Sequence, residues 1–338
     1  MKFKIPKNVL VNVLSQLNGF GEKKDASHIT SHILLEVNQT GVWFHASNHL
    51  SGIKMFAPAT VEAMGDTTVN YALFSNAINK LGEFISIELQ KDTVIVKSGS
   101  SRLKFNTFDA DSFPQFRPVK AEETAIDRGV ILNARLVSFS ADTNNPKKCM
   151  DGVHLGKYIA ASDTRMMSLV KNNGAAYDII LPKASLSKIA NFQESYFYTD
   201  GTNIVSKSAN HFMYFRLISD KYPNVERIMR EHFKHSVVLD KSKLKKSLDL
   251  CAVAWHEVFL KFNDGEVELV SADTERSINT SFELRCDFEL TVCLNIGFLQ
   301  QFISNTTGNE FTMKIEDENL AVCCESGTLS SYMQVVIV

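Results

Sequence analysis

The chain has 338 residues, of which 44% are hydrophobic and 22% are charged, and its formal net charge at pH 7 is -2. This composition is that of an ordinary globular protein and excludes a disordered or fibrous chain. The length is too great for one ordinary core and predicts two or three domains, while the near-zero charge excludes a uniformly basic nucleic-acid binder but not a local basic surface.

The start of the chain and the cysteines indicate an intracellular protein. Met1 to Pro6 have no apolar run behind their lysines, so they do not form a signal peptide, and no stretch of 18 consecutive apolar residues occurs. We therefore expect no membrane association and a cytoplasmic location. The six cysteines include no Cys-x-x-Cys pair, which favours structural thiols in a reducing compartment over metal ligands or disulfides.

Two sets of helices recur along the chain. The first set is predicted to start near Pro6, Asn133 and Asp240. The second set follows Asn70, Pro182 and Asn295, and each of its helices places apolar residues at the same three offsets, which form one stripe on one helix face. The stripes consist of Phe74, Ala77 and Ile78, of Leu186, Ile189 and Ala190, and of Leu299, Phe302 and Ile303.

Alternating runs between the helices predict strands. Examples are Val94 to Val96 and Arg102 to Phe108, and short polar turns such as Asn263-Asp264-Gly265 join neighbouring strands. Because strands outnumber helices, we expect an α+β class with antiparallel sheets and helices packed on one face. Two polar stretches, Arg117 to Asp127 and Ser219 to Ser236, are predicted linkers.

One pattern occurs twice without a gap. The stretch IVKSGSSRLKFNTFDADSFPQF at residues 95–116 aligns with IVSKSANHFMYFRLISDKYPNV at residues 204–225. Both contain a strand start, a small polar turn, a β-rich run and an Asp-x-aromatic-Pro ending. Together with the helix spacing, this match predicts a triplicated unit of about 110 residues. The segment from Ser98 to Ser101 is then a turn between strands rather than a phosphate loop.

Motifs of the common enzyme classes are absent from the sequence. It contains no G-x-x-x-x-G-K-[ST], no G-x-G-x-x-G after a strand, no H-E-x-x-H and no G-x-S-x-G. We therefore expect no catalytic residues, no metal and no cofactor.

Lysines recur at related places in the three units. Lys241 and Lys245 lie four residues apart in the first helix of the third unit, on a face predicted to oppose Leu244 and Leu248. Further lysines follow the first helix of units one and two, at Lys23, Lys24, Lys147 and Lys148. An ordinary solvated surface explains each of them singly. Repetition instead favours a basic surface suited to a repeated anionic partner.

At this point the sequence resembles a known family, the β sliding clamp of bacterial DNA polymerase III, over essentially its whole length. The segment SGSSRLKFNTFDADSFPQF is similar to the end of that family's first domain, and KYPNVERIM is similar to its linker between domains two and three. The segments Met150 to Val153 and Ala161 to Asp163 also fall where the family has related residues.

The resemblance implies a non-catalytic protein of three clamp domains, at residues 1–118, 119–229 and 230–338. Two copies would join head to tail into a closed ring around duplex DNA, with helices facing the hole and sheets outside. Such a ring is a processivity factor that tethers the replicative DNA polymerase by topology, so its phosphate contacts should be weak and independent of sequence.

The resemblance also implies three sets of site residues. The DNA contacts would be Lys23, Lys24, Lys147 and Lys148, joined by Lys241 and Lys245 from the charge pattern. The dimer joint would pair the edge at Leu103 and Phe105 with the region at Leu250 and Val253, although each stretch could be plain core. A pocket for short peptides from polymerase and clamp loader would comprise Met150, Ser162, Thr164, Arg165, Met166, Met167, Pro223, Arg227, Ile228, Val336, Ile337 and Val338.

The sequence departs from the family in this pocket. Thr164-Arg165-Met166-Met167 stands where the family usually has Gly-His-Arg-Leu, and the chain ends in Val-Val-Ile-Val where the family has a Met-Pro-Met-Arg-Leu-like tail. These departures suggest a divergent clamp, of the kind that a phage or mobile element can carry. The apolar tail could also simply complete the last strand. The alternative function is a clamp-fold scaffold that binds proteins but no longer encircles DNA.

Overall fold

The computed structural model describes residues 1–22, 28–114, 124–172, 177–189, 192 and 196–336. The helices are α1 Lys7–Leu17, α2 Tyr71–Ile78, α3 Arg128–Val137, α4 Lys183–Ile189, α5 Lys241–Cys251 and α6 Ile296–Asn305. The strands are β1 Lys2–Pro6, β2 His32–Val37, β3 Gly41–Ser47, β4 Ser51–Pro58, β5 Thr60–Ala63, β6 Gly65–Asn70, β7 Phe84–Gln90, β8 Thr93–Ser98, β9 Ser101–Asn106, β10 Thr124–Ile126, β11 Gly152–Leu155, β12 Tyr158–Ser162, β13 Met166–Lys171, β14 Ile179–Pro182, β15 Tyr196–Thr199, β16 Asn203–Lys207, β17 His211–Arg216, β18 His235–Asp240, β19 Glu257–Asn263, β20 Glu266–Ala272, β21 Ser277–Glu283, β22 Leu290–Asn295, β23 Glu310–Ile315, β24 Val322–Ser326 and β25 Leu329–Met333.

The chain forms two compact units. The first unit contains residues 1–126 and 192–216, and the second contains residues 127–191 and 217–338. In the first unit, one sheet has the order β5-β1-β7-β8-β9 and the other the order β10-β15-β16-β17-β4-β3-β2-β6. In the second unit, the orders are β14-β11-β12-β13-β25-β24-β23-β18 and β21-β20-β19-β22. The strand pairs are antiparallel, which confirms the predicted α+β class.

Both eight-stranded sheets cross the predicted domain boundaries. In the first unit, β17 pairs with β4, with Met213 opposite Ile53. In the second unit, β13 pairs with β25, with Ser168 opposite Ser331. The hydroxyls of these two serines are 2.6 Å apart and buried, so this seam is hydrogen-bonded through side chains as well as backbone. The division into three domains stays a prediction.

The helix starts have simple causes. An Asn or Asp side chain caps four of the six helices by accepting a backbone N–H from the first turn, which typically stabilises a helix by about 1 kcal/mol. These caps are Asn70, Asp127, Asp240 and Asn295. The cap at Asp127 corrects one prediction: α3 begins at Arg128 and not near Asn133, which lies within the helix. The predicted stripe residues Phe74, Leu186 and Leu299 are buried as expected, whereas Ala190 lies outside the described residues.

A lysine at the first position of three helices binds backbone carbonyls beside the end of a neighbouring helix. The Lys7 ammonium donates to the carbonyls of Asn79 and Leu81 at 2.9 and 2.7 Å, beyond the end of α2. The Lys183 ammonium donates to the Ala141 carbonyl at 2.6 Å, and Lys241 donates to the Thr307 carbonyl at 2.6 Å. Carbonyls at helix ends lack intrahelical partners, so each lysine satisfies acceptors that would otherwise need water.

The repeated pattern of residues 95–116 and 204–225 forms the same local structure twice. Strands β8 and β9 make one hairpin, with Gly99 at φ +57° in its turn, and β16 and β17 make the other. The aromatic residue before each proline is an anchor, since Phe113 and Tyr222 are both buried. The second predicted linker is therefore not simply polar, because Tyr222 and Val225 belong to a core cluster of the second unit.

Candidate functional site

The turn between β12 and β13 forms one wall of a groove in the second unit. The Asp163 carboxylate accepts the N–H groups of Arg165 and Met166 at 2.8 and 2.6 Å. The Ser162 hydroxyl donates to the Met166 carbonyl at 2.9 Å and accepts the Thr164 N–H at 3.0 Å. These bonds hold Thr164 at φ +84°, a left-handed conformation that is unfavourable for a β-branched residue.

The groove has a volume of about 380 Å³, and most of the residues predicted for the peptide pocket line it. Eight of the twelve residues predicted for the peptide pocket line it: Met150, Ser162, Thr164, Arg165, Met166, Met167, Pro223 and Ile228. Five residues outside that prediction also line it, namely Lys147, Tyr222, Ala321, Tyr332 and Gln334. The sequence did carry a signal for Tyr222, because it aligns with the buried Phe113 in the repeated pattern.

The floor of the groove is continuous with the hydrophobic core. Met150, Met167, Tyr222 and Tyr332 belong to one buried cluster. On the rim, Ile228 is 43% exposed, and the side chains of Thr164 and Arg165 are exposed. The groove therefore offers a fixed apolar floor and an open polar edge, which suits an apolar side chain of an extended partner.

Three ionisable groups of the core cluster that includes the groove floor have raised pKa values. Burial raises the pKa of the Tyr222 and Tyr332 hydroxyls, and burial followed by the nearby Asp220 carboxylate raises the pKa of the Cys149 thiol. A thiol with a raised pKa is a poor nucleophile. The floor thus has the chemistry of a binding surface.

The C-terminal segment borders the groove and then leaves it. The Gln334 N–H donates to the Arg165 carbonyl at 2.9 Å, and Val335 is buried. The Val336 N–H donates to the Cys293 carbonyl at 2.9 Å on β22, and Val336 is not among the residues that line the groove, so its part in the peptide pocket stays a prediction. Strand β25 ends at Met333, and the predicted tail residues Ile337 and Val338 lie outside the described residues.

Arg227 lines a neighbouring cavity rather than the groove itself. Its N–H donates to the Asn224 side chain in a short 3-10 turn, and the residue is exposed. The two cavities share Lys147, Tyr222 and Pro223 as a common wall.

The predicted basic residues have different environments. Lys241 is only 6% exposed, and its ammonium donates to the Thr307 carbonyl and to the Ser326 hydroxyl at 2.6 and 3.3 Å. It lies on the buried face of α5 together with Leu244 and Leu248 and its ammonium is engaged by the protein, which argues against the predicted DNA contact. Burial also lowers the pKa of Lys241.

The remaining predicted lysines that the structure describes lie at the surface. Lys147, Lys148 and Lys245 are exposed, while Lys23 and Lys24 lie outside the described residues. The sequence prediction missed Lys243 and Lys246, which lie with Lys245 on the exposed side of α5. The sequence contained the information to find them, because Lys243, Lys245 and Lys246 are the exposed lysines of this helix when Lys241 lies on its buried face.

The residues predicted for the dimer joint lie on an edge strand in the first unit and at the end of a helix in the second. Strand β9 ends its sheet, and its partly exposed Leu103 and Phe105 alternate with exposed neighbours. The ring of Phe105 meets that of Phe74 edge-on, with the centroids 5.6 Å apart. In the second unit, Leu250 and Val253 are 48% and 60% exposed at the end of α5, and Trp255, which the prediction missed, is 43% exposed beside them.

Metal and membrane features were searched over the described ranges. No group of three His, Cys, Asp or Glu side chains there is arranged to hold a metal ion. None of the helices in the described part is long and apolar enough to cross a membrane.

Comparisons with known proteins agree with this architecture. Residues 1–117 match the family described as DNA polymerase III beta subunit, N-terminal domain. The chain is 28% identical to a beta sliding clamp of Helicobacter pylori, covering 89% of this chain and 87% of the relative. It is 23% identical to a beta sliding clamp of Mycoplasma pneumoniae, covering 94% of each.

Solved structures show the same fold over the full length. A Helicobacter pylori beta clamp bound to a DNA ligase peptide superposes with a TM-score of 0.92 at 24% identity, covering 100% of both chains. A DNA polymerase III subunit beta from Pseudomonas aeruginosa superposes with a TM-score of 0.91 at 16% identity, also over 100% of both. The first third of the chain therefore matches the family of DNA polymerase III beta subunits, and over most of its length the chain is similar in sequence and fold to bacterial β sliding clamps, which supports the function of a sliding clamp.

Proposed function

We propose that two copies of this chain close head to tail into a ring around duplex DNA and that the groove tethers a replicative polymerase and a clamp loader through short linear peptides. The observation that carries the proposal is the preformed apolar groove of the second unit, in a chain that shares its fold with clamps over its whole length. The protein catalyses no reaction and acts by holding its partners on DNA.

The groove matches the requirements of peptide recognition. Methionine side chains at its floor are flexible and polarisable, so they adapt to different apolar anchors. The related Helicobacter pylori clamp was crystallised with a DNA ligase peptide, which supports the same mode of binding here. The Lys147 and Arg165 side chains at the edge can meet polar groups of the bound peptide.

The joint between two copies in the ring would use two exposed apolar surfaces. A sheet edge such as β9 presents unpaired backbone groups and invites a second strand, and Leu103 and Phe105 add apolar area beside it. The complementary surface would be Leu250, Val253 and Trp255 on the partner. Because the two surfaces differ, the contact is heterologous, and a ring forms when the rotation between copies closes. Each copy would contribute three domains, at residues 1–118, 119–229 and 230–338.

DNA would be held by dispersed lysines. Lys147, Lys148 and Lys245, with Lys23 and Lys24, supply positive charge without base-specific geometry. Weak phosphate contacts of this kind permit the protein to slide along DNA. The net charge of -2 also favours sliding, because a strong overall attraction between protein and DNA would slow it.

Titration with a fluorescent peptide from the C-terminus of a bacterial replicative polymerase tests the tether. Ile228→Asp places a charge on the rim of the groove, where the side chain is 43% exposed, so it should abolish binding without unfolding the protein. The matched control is Leu50→Asp, in the first unit, where Leu50 is 63% exposed. Unchanged peptide affinity in Ile228→Asp would remove the groove from the proposal.

A further inference from the structure

A second cavity of the second unit adjoins the groove and has no role in the tether described above. It has a volume of about 920 Å³ and lies between the β11, β12 and β14 strands and the segment from Asp220 to Arg227. Lys147, Tyr222 and Pro223 form the wall that it shares with the groove. A peptide seated in the groove therefore has a second cavity within reach of its flanking residues.

All three acidic side chains that line this cavity are already engaged by the protein. The Asp178 carboxylate is 2.5 Å from Nε2 of His154, and Glu226 is paired with Lys157. The Asp220 carboxylate accepts the N–H groups of Cys149 and Lys221 at 3.2 and 2.8 Å. These contacts hold the three acidic side chains in the wall, and Glu226 is the one among them that is paired with a lysine.

Four of the five lysine and arginine side chains that line the cavity are in the opposite situation, the fifth being Lys157. Lys147, Lys148, Lys221 and Arg227 are exposed, and none of their ammonium or guanidinium groups has an ion-pair or hydrogen-bond partner among the described residues. Because the lining has five lysine and arginine side chains against three aspartate and glutamate side chains, the cavity presents net positive potential. A concave wall strengthens such a potential relative to a flat surface.

The wall also contains two buried polar atoms without partners. The Tyr222 hydroxyl and Nδ1 of His154 are buried, and neither has a hydrogen-bond partner in the described part of the chain. Tyr222 is only 9% exposed, and its ring stacks on that of His154 at a centroid distance of 5.0 Å and an interplanar angle of 10°. Unpaired buried polar groups are rare because they cost free energy, so this wall is marked as a place where a ligand can complete the hydrogen bonding.

We propose that this cavity, termed the acidic-flank site, binds carboxylate side chains that flank the apolar anchor of a partner peptide in the groove. The proposal rests on the proposed function of the groove. An acidic peptide fits better than a nucleic-acid strand because the shared wall of Lys147, Tyr222 and Pro223 joins the site to an apolar groove. A guanidinium such as that of Arg227 can bind a carboxylate through two parallel hydrogen bonds.

The test compares synthetic peptides that share one apolar anchor. Two carry three Glu residues, on one flank or on the other, and a third carries Gln in their place. Fluorescence anisotropy at low salt should show one Glu peptide binding the wild-type protein about tenfold more tightly than the Gln peptide, a preference that fades as salt rises. Lys221→Glu should abolish the preference and leave the Gln peptide affinity unchanged, because Lys221 does not line the groove.

The matched control is Lys207→Glu, an exposed lysine of the first unit, which should keep the full preference. Equal affinity of the Glu and Gln peptides for the wild-type protein, or a preference that survives Lys221→Glu, would overturn the acidic-flank site while leaving the groove intact. A single-stranded oligonucleotide that binds wild type but not Lys221→Glu, without any preference for Glu peptides, would assign the cavity to nucleic acid instead. Failure of all three peptides to bind would refute the function of the groove itself, and this proposal with it.

Discussion

The groove of the second unit and the β9 edge of the first unit both present apolar side chains for binding, but they are coupled to the fold in different ways. Met150 and Met167 at the groove floor are 3% exposed and belong to a core cluster, whereas Leu103 and Phe105 lie on the last strand of a sheet and are partly exposed. A side chain that serves both core and site cannot change without affecting both. A side chain at an edge can separate assembly from folding.

The largest expected effect follows from truncating the groove floor. Met167→Ala should lower the free energy of unfolding by about 2 to 5 kcal/mol, because it leaves a cavity in the core, and should weaken peptide binding as well. Urea denaturation and peptide titration measure the two effects. The control Met64→Ala removes the same atoms at a residue that is 58% exposed in the first unit and should be nearly neutral. Lost peptide affinity with an unchanged free energy of unfolding would contradict the claim that the groove floor serves both the core and the binding site.

The edge should behave in the opposite way. Leu103→Asp places a charge in the proposed joint and should weaken dimerisation by about 2 kcal/mol or more, with little change in the stability of each chain. Light scattering should then report the mass of one chain where the wild type gives that of two. Val238→Asp makes the same change on β18, another edge strand, where Val238 is 53% exposed, and should leave the dimer intact. A dimer that survives Leu103→Asp would place the joint elsewhere.

The same contrast exists within one helix. Lys241→Met should cost about 1 to 3 kcal/mol of stability, because it leaves the Thr307 carbonyl without its donor. Lys245→Met, four residues later and exposed, should change stability by less than about 0.5 kcal/mol. It should instead reduce the slope of log affinity against log salt by about 0.9 on duplex DNA. Equal effects of the two substitutions on DNA binding would return Lys241 to the basic surface.

The smallest effect concerns the strained turn at the groove wall. Thr164→Gly should raise the free energy of unfolding by about 1 kcal/mol, since glycine adopts φ +84° without a steric penalty. Thr40→Gly, in a turn of the first unit where φ is not positive, is the control and should be neutral or destabilising. Thermal denaturation measures both. A destabilised Thr164→Gly would mean that side-chain contacts of Thr164 outweigh its backbone strain.

The sequence predicted the fold class and most of the groove because both depend on local patterns. The repeated offsets of Phe74, Leu186 and Leu299 identify buried helix faces, and seven of the eight predicted residues that line the groove come from two short segments, at residues 162–167 and 223–228. Each segment is so short that its residues lie close together in space, so one match in sequence locates all of them. Tyr332 was missed because it reaches the groove only through the pairing of β25 with β13, and Ala321 because it directly precedes β24, which pairs with β25.

Lys241 shows where such patterns are insufficient. Its spacing from Lys245 suggests a shared exposed face, but a residue at the first turn of a helix can also point toward the end of a neighbour. Lys7 and Lys183 occupy the same helix position and bind carbonyls in the same way. Only the structure shows that a lysine at this helix position binds backbone carbonyls. The accepting carbonyls lie 66 or more residues away along the chain from Lys241 and Lys7, so no local pattern reveals them.

Topological trapping on DNA tests most directly whether the chain forms a ring around the duplex. Linear DNA is ligated into circles in the presence of the protein, so that rings threaded over an end become trapped, and gel filtration at high salt then removes electrostatically bound protein. The wild type should co-elute with the circles and be released when a restriction enzyme cuts them, and Leu103→Asp should not be retained. Equal retention on circular and linear DNA, or no retention of an intact wild-type dimer on circles, would contradict the encircling ring.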